Sequence, residues 1–308
     1  MAGVVRSLRG RCSGNTPPKV LPRLLPEFRK GALDAGSRGR FGTGVTEYVE
    51  RLPVPRLAPF VRTVWFQRTG DDPYLQRHLP TGGAELHVPL GGRPRLLGPL
   101  TAARLEVIPA RTTLVGVRFH PGAAPTLPVP LDELVDQHVD LGDDRLAEAV
   151  AATASPEHAL EVLQARLPVA AVDPLVAEAV RLLMPWRPVD IDTLAGYLAL
   201  SPSQLRRRCL RAVGVAPKVL QRTLRFQGFL ALAQAGAGSP AGLAADAGYA
   251  DQAHLGRECL RLTGLTPREL LGGSVEECAC GHDHSASYLP FLRDSFKKPR
   301  DGVLSLAR

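Results

Sequence analysis

LRRRCLRAVGVAP, Leu205 to Pro217, and LGRECLRLTGLTP, Leu255 to Pro267, lie fifty positions apart and share the pattern L-x-R-x-C-L-R-x-x-G-x-x-P. Seven of thirteen positions match at a constant offset, the mark of one supersecondary unit used twice. In each copy Leu205, Cys209 and Leu210, or Leu255, Cys259 and Leu260, fall at i, i+4 and i+5, which predicts a helix with one apolar, inward-packing side. Arg207 and Arg211, and Arg257 and Arg261, are i, i+4 neighbours on a basic face free to meet something acidic. Gly214 and Gly264 stand where such a helix ends on a left-handed residue, and Pro217 and Pro267 can open the next one.

A second short helix is predicted ahead of each copy, over Ile191 to Leu200 and over Ser239 to Ala250. Helix, tight turn and a second helix with arginines on its outer face is the helix-turn-helix arrangement, whose second member lies in the major groove. The second turn carries one residue more, because Leu194-Ala195 aligns with Leu243-Ala244 at an offset of forty-nine. Between the modules, Pro217 to Gly236 reads as one helix with an apolar stripe of Val219, Leu220, Leu224, Phe226, Leu230 and Leu232. Counted as roughly sixteen residues, it makes a spacer of about 24 Å, against about 34 Å between successive major grooves on one DNA face.

These residues resemble the C-terminal domain of AraC/XylS-type transcription regulators over about Pro188 to Leu271. Ala247-Gly248-Tyr249-Ala250-Asp251-Gln252-Ala253-His254-Leu255 and Thr263-Gly264-Leu265-Thr266-Pro267 are similar to that family's signature. Cys209 and Cys259 stand where the family usually has Phe, which implies a smaller or repacked core. The resemblance implies that Ser203, Gln204, Arg206 and Arg207 face bases from the first module, and Gln252, Ala253 and Arg257 from the second. Arg208, Arg211, Lys218, Arg222 and Arg261 are then contacts to the DNA backbone or solvated charges. With Ala253 and Gly256 beside Arg257, the second module has fewer base-reaching side chains, so the first is expected to supply more of the direct readout.

The charge is split along the chain. Residues 1–44 hold nine Lys/Arg against two Asp/Glu, residues 45–185 thirteen against seventeen, residues 186–272 eleven against six, and the rest five against five, giving the net +8. The expected reader is therefore basic in its own right and the middle of the chain acidic. No stretch approaches eighteen apolar residues, which speaks against a membrane partner, and five cysteines outside any disulfide framework fit a reducing, cytoplasmic setting.

Residues 1–44, rich in Arg, Gly, Pro and Ser, read as a disordered basic arm. Residues 45–141 read as a β-rich sensor domain, a small barrel or sandwich, with strands over Phe60 to Arg68, Ala84 to Leu90, Arg104 to Ala110 and Thr113 to His120. Leu79-Pro80-Thr81-Gly82-Gly83 and Gly116-Val117-Arg118-Phe119-His120-Pro121-Gly122 resemble the N-terminal domain that accompanies such regulators, which implies a sensor open to a small-molecule effector or a second protomer. Of Trp65 and Phe66, adjacent on a strand, one is core and the other faces a pocket or partner. Residues 142–187 read as linker helices over Asp144 to Ala154, Pro156 to Leu167 and Pro174 to Met184, which either dimerise or cover the sheet. Residues 188–272 are the double helix-turn-helix, and residues 273–308 a tail whose Tyr288, Leu289, Phe291, Leu292 and Phe296 form an apolar cluster.

The fold class is therefore α+β and multidomain, β-rich with helices at the N-terminal end and all-α at the C-terminal end. The function read from it is sequence-specific regulation of transcription, with double-stranded DNA as partner, RNA polymerase and a homodimer partner as further candidates, and no cofactor. The competing reading is an enzyme or metal-dependent sensor. His78, His87 and His120 with Glu85 could serve it in the β-domain, and Cys278, Cys280, His282 and His284 in the tail, where C-x-C-x-H-x-H is tight for one tetrahedral ion. No nucleophile elbow, phosphate loop, HExxH or paired-carboxylate motif occurs, which favours the regulator.

Overall fold

A computed structural model describes residues 37–38, 45–124, 130–168, 172–183, 189–234 and 240–272. The tail with its Cys/His and apolar clusters lies outside the described residues, as does most of the basic arm.

Among the described residues the N-terminal part holds nine strands: β1 (Ser37–Arg38), β2 (Val45–Arg51), β3 (Val61–Thr69), β4 (Tyr74–His78), β5 (Glu85–Pro89), β6 (Arg95–Leu97), β7 (Arg104–Ile108), β8 (Thr113–Phe119) and β9 (His138–Asp140). Seven form a sheet in the order β1-β2-β3-β8-β5-β6-β9, and β4 and β7 pair as a separate two-stranded ribbon. Every pairing among the described residues is antiparallel. The arm expected to lack structure contributes to this sheet, because Ser37 and Arg38 pair with Glu50 and Val49.

Strand β3 is buried along nearly its whole length because both of its faces are covered. On one face Val64 and Phe66 join Val115 and Val117 of β8 under the helices α1 (Asp144–Ala151) and α2 (Pro156–Arg166), which insert Leu146, Val150, Leu160 and Leu163. On the other, Trp65 clusters with Tyr48 and Leu114, and with Tyr74 and Ile108 of the ribbon. The alternation of the strand thus sends Phe66 into the apolar core and Trp65 to the opposite side. Gly116 lies across from Trp65, and a Cβ there would stand 2.3 Å from the indole, so only glycine leaves room for the ring.

The segment read as linker helices is divided between two cores. Helices α1 and α2 cover the sheet, whereas α3 (Pro174–Leu182) packs Val176, Ala179 and Val180 against the first helical module. That module is α4 (Ile191–Tyr197) and α5 (Pro202–Val213); α6 (Pro217–Gln234) leads to the second, α7 (Pro240–Asp246) and α8 (Gln252–Thr263), and α9 (Pro267–Gly272) follows. The spacer helix α6 has 18 residues rather than sixteen, about 27 Å of rise. It joins the two cores, with Leu220 and Leu224 in the first and Phe226, Phe229 and Leu230 in the second. Among the described residues no helix is long and apolar enough to cross a membrane.

Candidate nucleic-acid interface

The local sequence fixes where each second helix starts and stops. Before α5, the Ser201 hydroxyl accepts from the Gln204 backbone N–H at 3.2 Å while the Gln204 side chain accepts from the Ser201 N–H at 2.8 Å, a reciprocal cap that satisfies two helix-end donors. Before α8, Asp251 accepts from the His254 N–H at 2.6 Å. Both helices end on a left-handed glycine, Gly214 at φ 86° and Gly264 at φ 74°, whose N–H returns to the carbonyl of Leu210 or Leu260.

Between those ends the apolar stripe runs inward through Leu205, Cys209 and Val213 in α5, and through Leu255, Cys259 and Leu262 in α8. Leu210 and Leu260 depart from the expected inward packing. Leu210 is half-buried and Leu260 is 50% exposed, because the step from i+4 to i+5 turns the side chain about 100° off the stripe, while the position three or four residues further on stays beneath it. Burial pushes the Cys209 thiol up to about 11 and the Cys259 thiol up to about 12, so both are uncharged packing groups at neutral pH.

The opposite faces are open. Ser203, Gln204, Arg206, Arg207 and Arg211 on α5, and Gln252, Ala253, Arg257 and Arg261 on α8, are all exposed. Among the described residues no ion pair engages Arg206, Arg207, Arg211, Arg257 or Arg261. Five guanidinium groups on two equivalent helix faces present the charge and donor geometry that duplex phosphates and guanine edges accept.

Four of the sequence-predicted residues have other engagements. Gln204 is held in the cap of α5, so reading a base would require it to leave Ser201. Arg208 donates to Asp173, the N-cap of α3, at 2.6 Å, and Arg222 is half-buried with Glu258 of α8 at 3.6 Å. Each ties an element of one module to its neighbour, and a phosphate would have to displace a carboxylate. Lys218 is exposed and donates to Gln221 at 2.9 Å. Sequence reasoning had no signal for Asp173 or Glu258, since Asp173 lies thirty-five residues upstream of Arg208 and Glu258 far downstream of Arg222.

In the β-domain the structure brings His78 and His87 together, with ring centroids 5.5 Å apart, but gives each a carboxylate: His78 meets Glu106 at 3.0 Å and His87 meets Glu85 at 3.3 Å. His120 is elsewhere, its Nε2 at 3.2 Å from the Ala58 carbonyl. Among the described residues no group of three or more His, Cys, Asp or Glu is placed to hold a metal ion. Burial opposes the charge on Glu85, yet the Arg118 guanidinium 3.2 Å away and the bond to His87 hold its carboxyl well below the usual range. Burial also lowers the pKa of His87. Trp65, Gln67, Gln76, His78, His87 and Ile108 line a small cavity between the sheet and the ribbon.

A family model described as a helix-turn-helix domain matches residues 194–272, and one described as a domain of unknown function, DUF6597, matches residues 49–140. No curated protein sequence matches the chain. Among solved structures, ToxT from Vibrio cholerae in its P21 form is similar with a TM-score of 0.40 at 12% identity, over 68% of this chain and 96% of that one. Wild-type ToxT of strain SCE256 with an unsaturated fatty acid bound is similar with a TM-score of 0.40 at 11% identity, over 75% and 96%.

Proposed function

We propose, from the AraC-type helix-turn-helix domain that residues 194–272 form, that the chain regulates transcription by reading two adjacent major-groove segments of one duplex with α5 and α8. The observation that carries this reading is the pair of equivalent exposed faces. Ser203, Arg206 and Arg207 on one helix, and Gln252, Ala253 and Arg257 on the other, project from N-terminal halves whose apolar sides are buried. Arg grips guanine O6 and N7 in a bidentate contact and Gln does the same for adenine N6 and N7, each worth about 1 to 3 kcal/mol of discrimination. Arg211, Arg261 and Lys218 are the phosphate contacts, which position the protein without reading sequence.

The β-domain is the regulatory half of this reading. It meets a small-molecule effector or a protein partner, and its contacts to the helical modules pass the effect on. RNA polymerase is the expected partner in the transcribing complex, and self-association through the N-terminal half would double the DNA site. Selection of bound sequences from a random duplex pool tests the two-module reading and the self-association. Two short conserved blocks about one helical turn apart are expected, or two such pairs for a dimer. Recovery of a single block, or of no sequence preference over a range of salt, overturns the two-module reading.

A further inference from the structure

The C-terminal ends of α5 and α8 are not free, because one short loop of the β-domain touches both. Residues 98–103 join β6 to β7. At one end of that loop, Pro99 packs on the residue that closes α5. A Cβ built on Gly214 would lie 2.9 Å from Pro99 Cγ and 2.7 Å from the carbonyl oxygen of Leu131. At the other end the Ala103 backbone N–H donates to the carbonyl of Leu262, the penultimate residue of α8, at 2.7 Å. Next to it, Arg77 of β4 donates to the carbonyl of Thr263 at 2.9 Å. Leu262 and Thr263 supply two of the carbonyls that a helix end leaves without partners, and a guanidinium there also suits the negative end of the helix dipole.

The loop itself is braced. Asp136 accepts from the Thr101 backbone N–H at 2.7 Å and from the Thr101 hydroxyl at 2.6 Å, and its own N–H returns to the Pro99 carbonyl at 3.1 Å. The Gly98 N–H donates to the Gln137 carbonyl at 3.0 Å. Asp136 is held at φ 58°, a left-handed conformation that few residues other than glycine adopt and that these bonds keep in place. From Pro99 to Ala103 is four Cα steps, so the two points of contact are at most ~14 Å apart.

We infer that residues 98–103 act as a bracket that fixes the separation and relative rotation of α5 and α8, with Thr101 and Asp136 as its positioning residues, so that the β-domain helps decide which spacing between two DNA blocks is accepted. This rests on the proposal that both helices read one duplex. The spacer α6 sets an approximate distance, but Gly214 and Leu262 sit at the far ends of α5 and α8 from the base-reading residues, where a small shift becomes a rotation of the reading face. Arg77, Ala103 and Pro99 make no contribution to base recognition themselves. They act only through where they hold the helices.

The test uses the full chain and the duplex recovered from the random pool, remade with the separation of its two blocks changed by one or two base pairs either way. Wild type is expected to lose about tenfold in affinity per base pair of change, the cost of misaligning about one base contact. Asp136→Gly keeps the backbone conformation while removing both bonds to Thr101, and Thr101→Val removes the hydroxyl alone. Both are expected to flatten that profile to within about threefold while preserving affinity for the original spacing within a similar factor. A variant that binds more weakly but keeps the wild-type profile assigns the loop a merely structural role and overturns the inference. Insertion of two glycines between Leu100 and Thr101 provides the second measurement, and an unchanged profile there overturns it as well. Wild type without sequence preference removes the two-module reading and the bracket together, whereas wild type with two blocks and a flat profile removes the bracket alone.

Discussion

Gly214 and Gly264 occupy the same place in the two copies of the repeat and share a left-handed backbone, yet only Gly214 is pressed by a neighbour. A Cβ on Gly214 would meet the Leu131 carbonyl oxygen at 2.7 Å, whereas one on Gly264 would meet nothing within 4 Å. The repeat dictates the helix end, and the β-domain packs on one copy of it. Gly264→Ala is therefore expected to cost about 1 kcal/mol, the ordinary price of a left-handed alanine. Gly214→Ala should cost about 1 to 3 kcal/mol more, since backbone cannot move aside as a flexible side chain would. Urea unfolding of the two variants checks this, and equal midpoints would show that the 131–134 turn gives way.

Specificity and salt dependence should separate on these helices. Arg207→Ala is expected to lose about 1 to 3 kcal/mol of discrimination at one position of the selected site. Arg211→Ala or Arg261→Ala should instead weaken all sequences alike and reduce the salt slope by about one. Because α8 presents Ala253 and the half-buried Gly256 beside Arg257, Arg257→Ala should relax fewer positions than Arg207→Ala. Titrations of selected and scrambled duplexes at several salt concentrations read both quantities, and loss of all preference in Arg257→Ala with full preference in Arg207→Ala would reverse the division of labour.

Much of this architecture was legible in the sequence where a local pattern dictates it. The repeat revealed α5 and α8 because Leu205, Cys209, Leu255 and Cys259 recur at helical spacing, and Gly214 and Gly264 mark where both helices stop. The strands β3, β5, β7 and β8 show in alternation and β-branched content. What was hidden depends on partners distant in the chain. Strand β4 reads YLQRH, too polar to suggest that Gln76 and His78 are buried where the ribbon meets the sheet. The ion pairs of Arg208 with Asp173 and of Arg222 with Glu258 join residues far apart in the chain. Loop 98–103 does not announce its role, since its contacts to the two helices run through a proline ring and a backbone N–H.

The half-buried carboxylates of the β-domain predict a specific acid sensitivity. The hydrogen bond from His78, followed by the charges of His78 and Arg95, lowers Glu106 from 4.5 to about 2 despite its burial. A carboxyl depressed in the folded state contributes stability that is present above its unfolded value and is lost as pH falls through the folded one. The contribution of Glu106 should therefore be complete above about pH 4.5 and fade toward pH 2. In Glu106→Gln the midpoint of thermal unfolding should fall less steeply across that window than in wild type. An unchanged slope would show that Glu85, also held low, accounts for the acid response.

The two cysteines of the repeat make a final prediction, about chemistry that the fold suppresses. Cys209 and Cys259 are fully buried, and burial pushes their thiols up to about 11 and about 12. Only the thiolate is nucleophilic, so at pH 8 the folded protein holds almost none of it at either position. Treatment with a thiol-alkylating reagent at that pH, followed by peptide mapping, should leave both residues unmodified in native protein and modify both in urea. Replacement should follow the same logic of packing without polarity. Cys259→Ala leaves a small void, whereas Cys259→Ser buries a hydroxyl that needs a partner, at about 1 to 3 kcal/mol if none is found. Serine should therefore be the more damaging substitution by unfolding midpoint, although it is closer in shape. Native-state alkylation of Cys209 or Cys259 without unfolding would show that the helix cores open to solvent, and that the thiols do more than fill them.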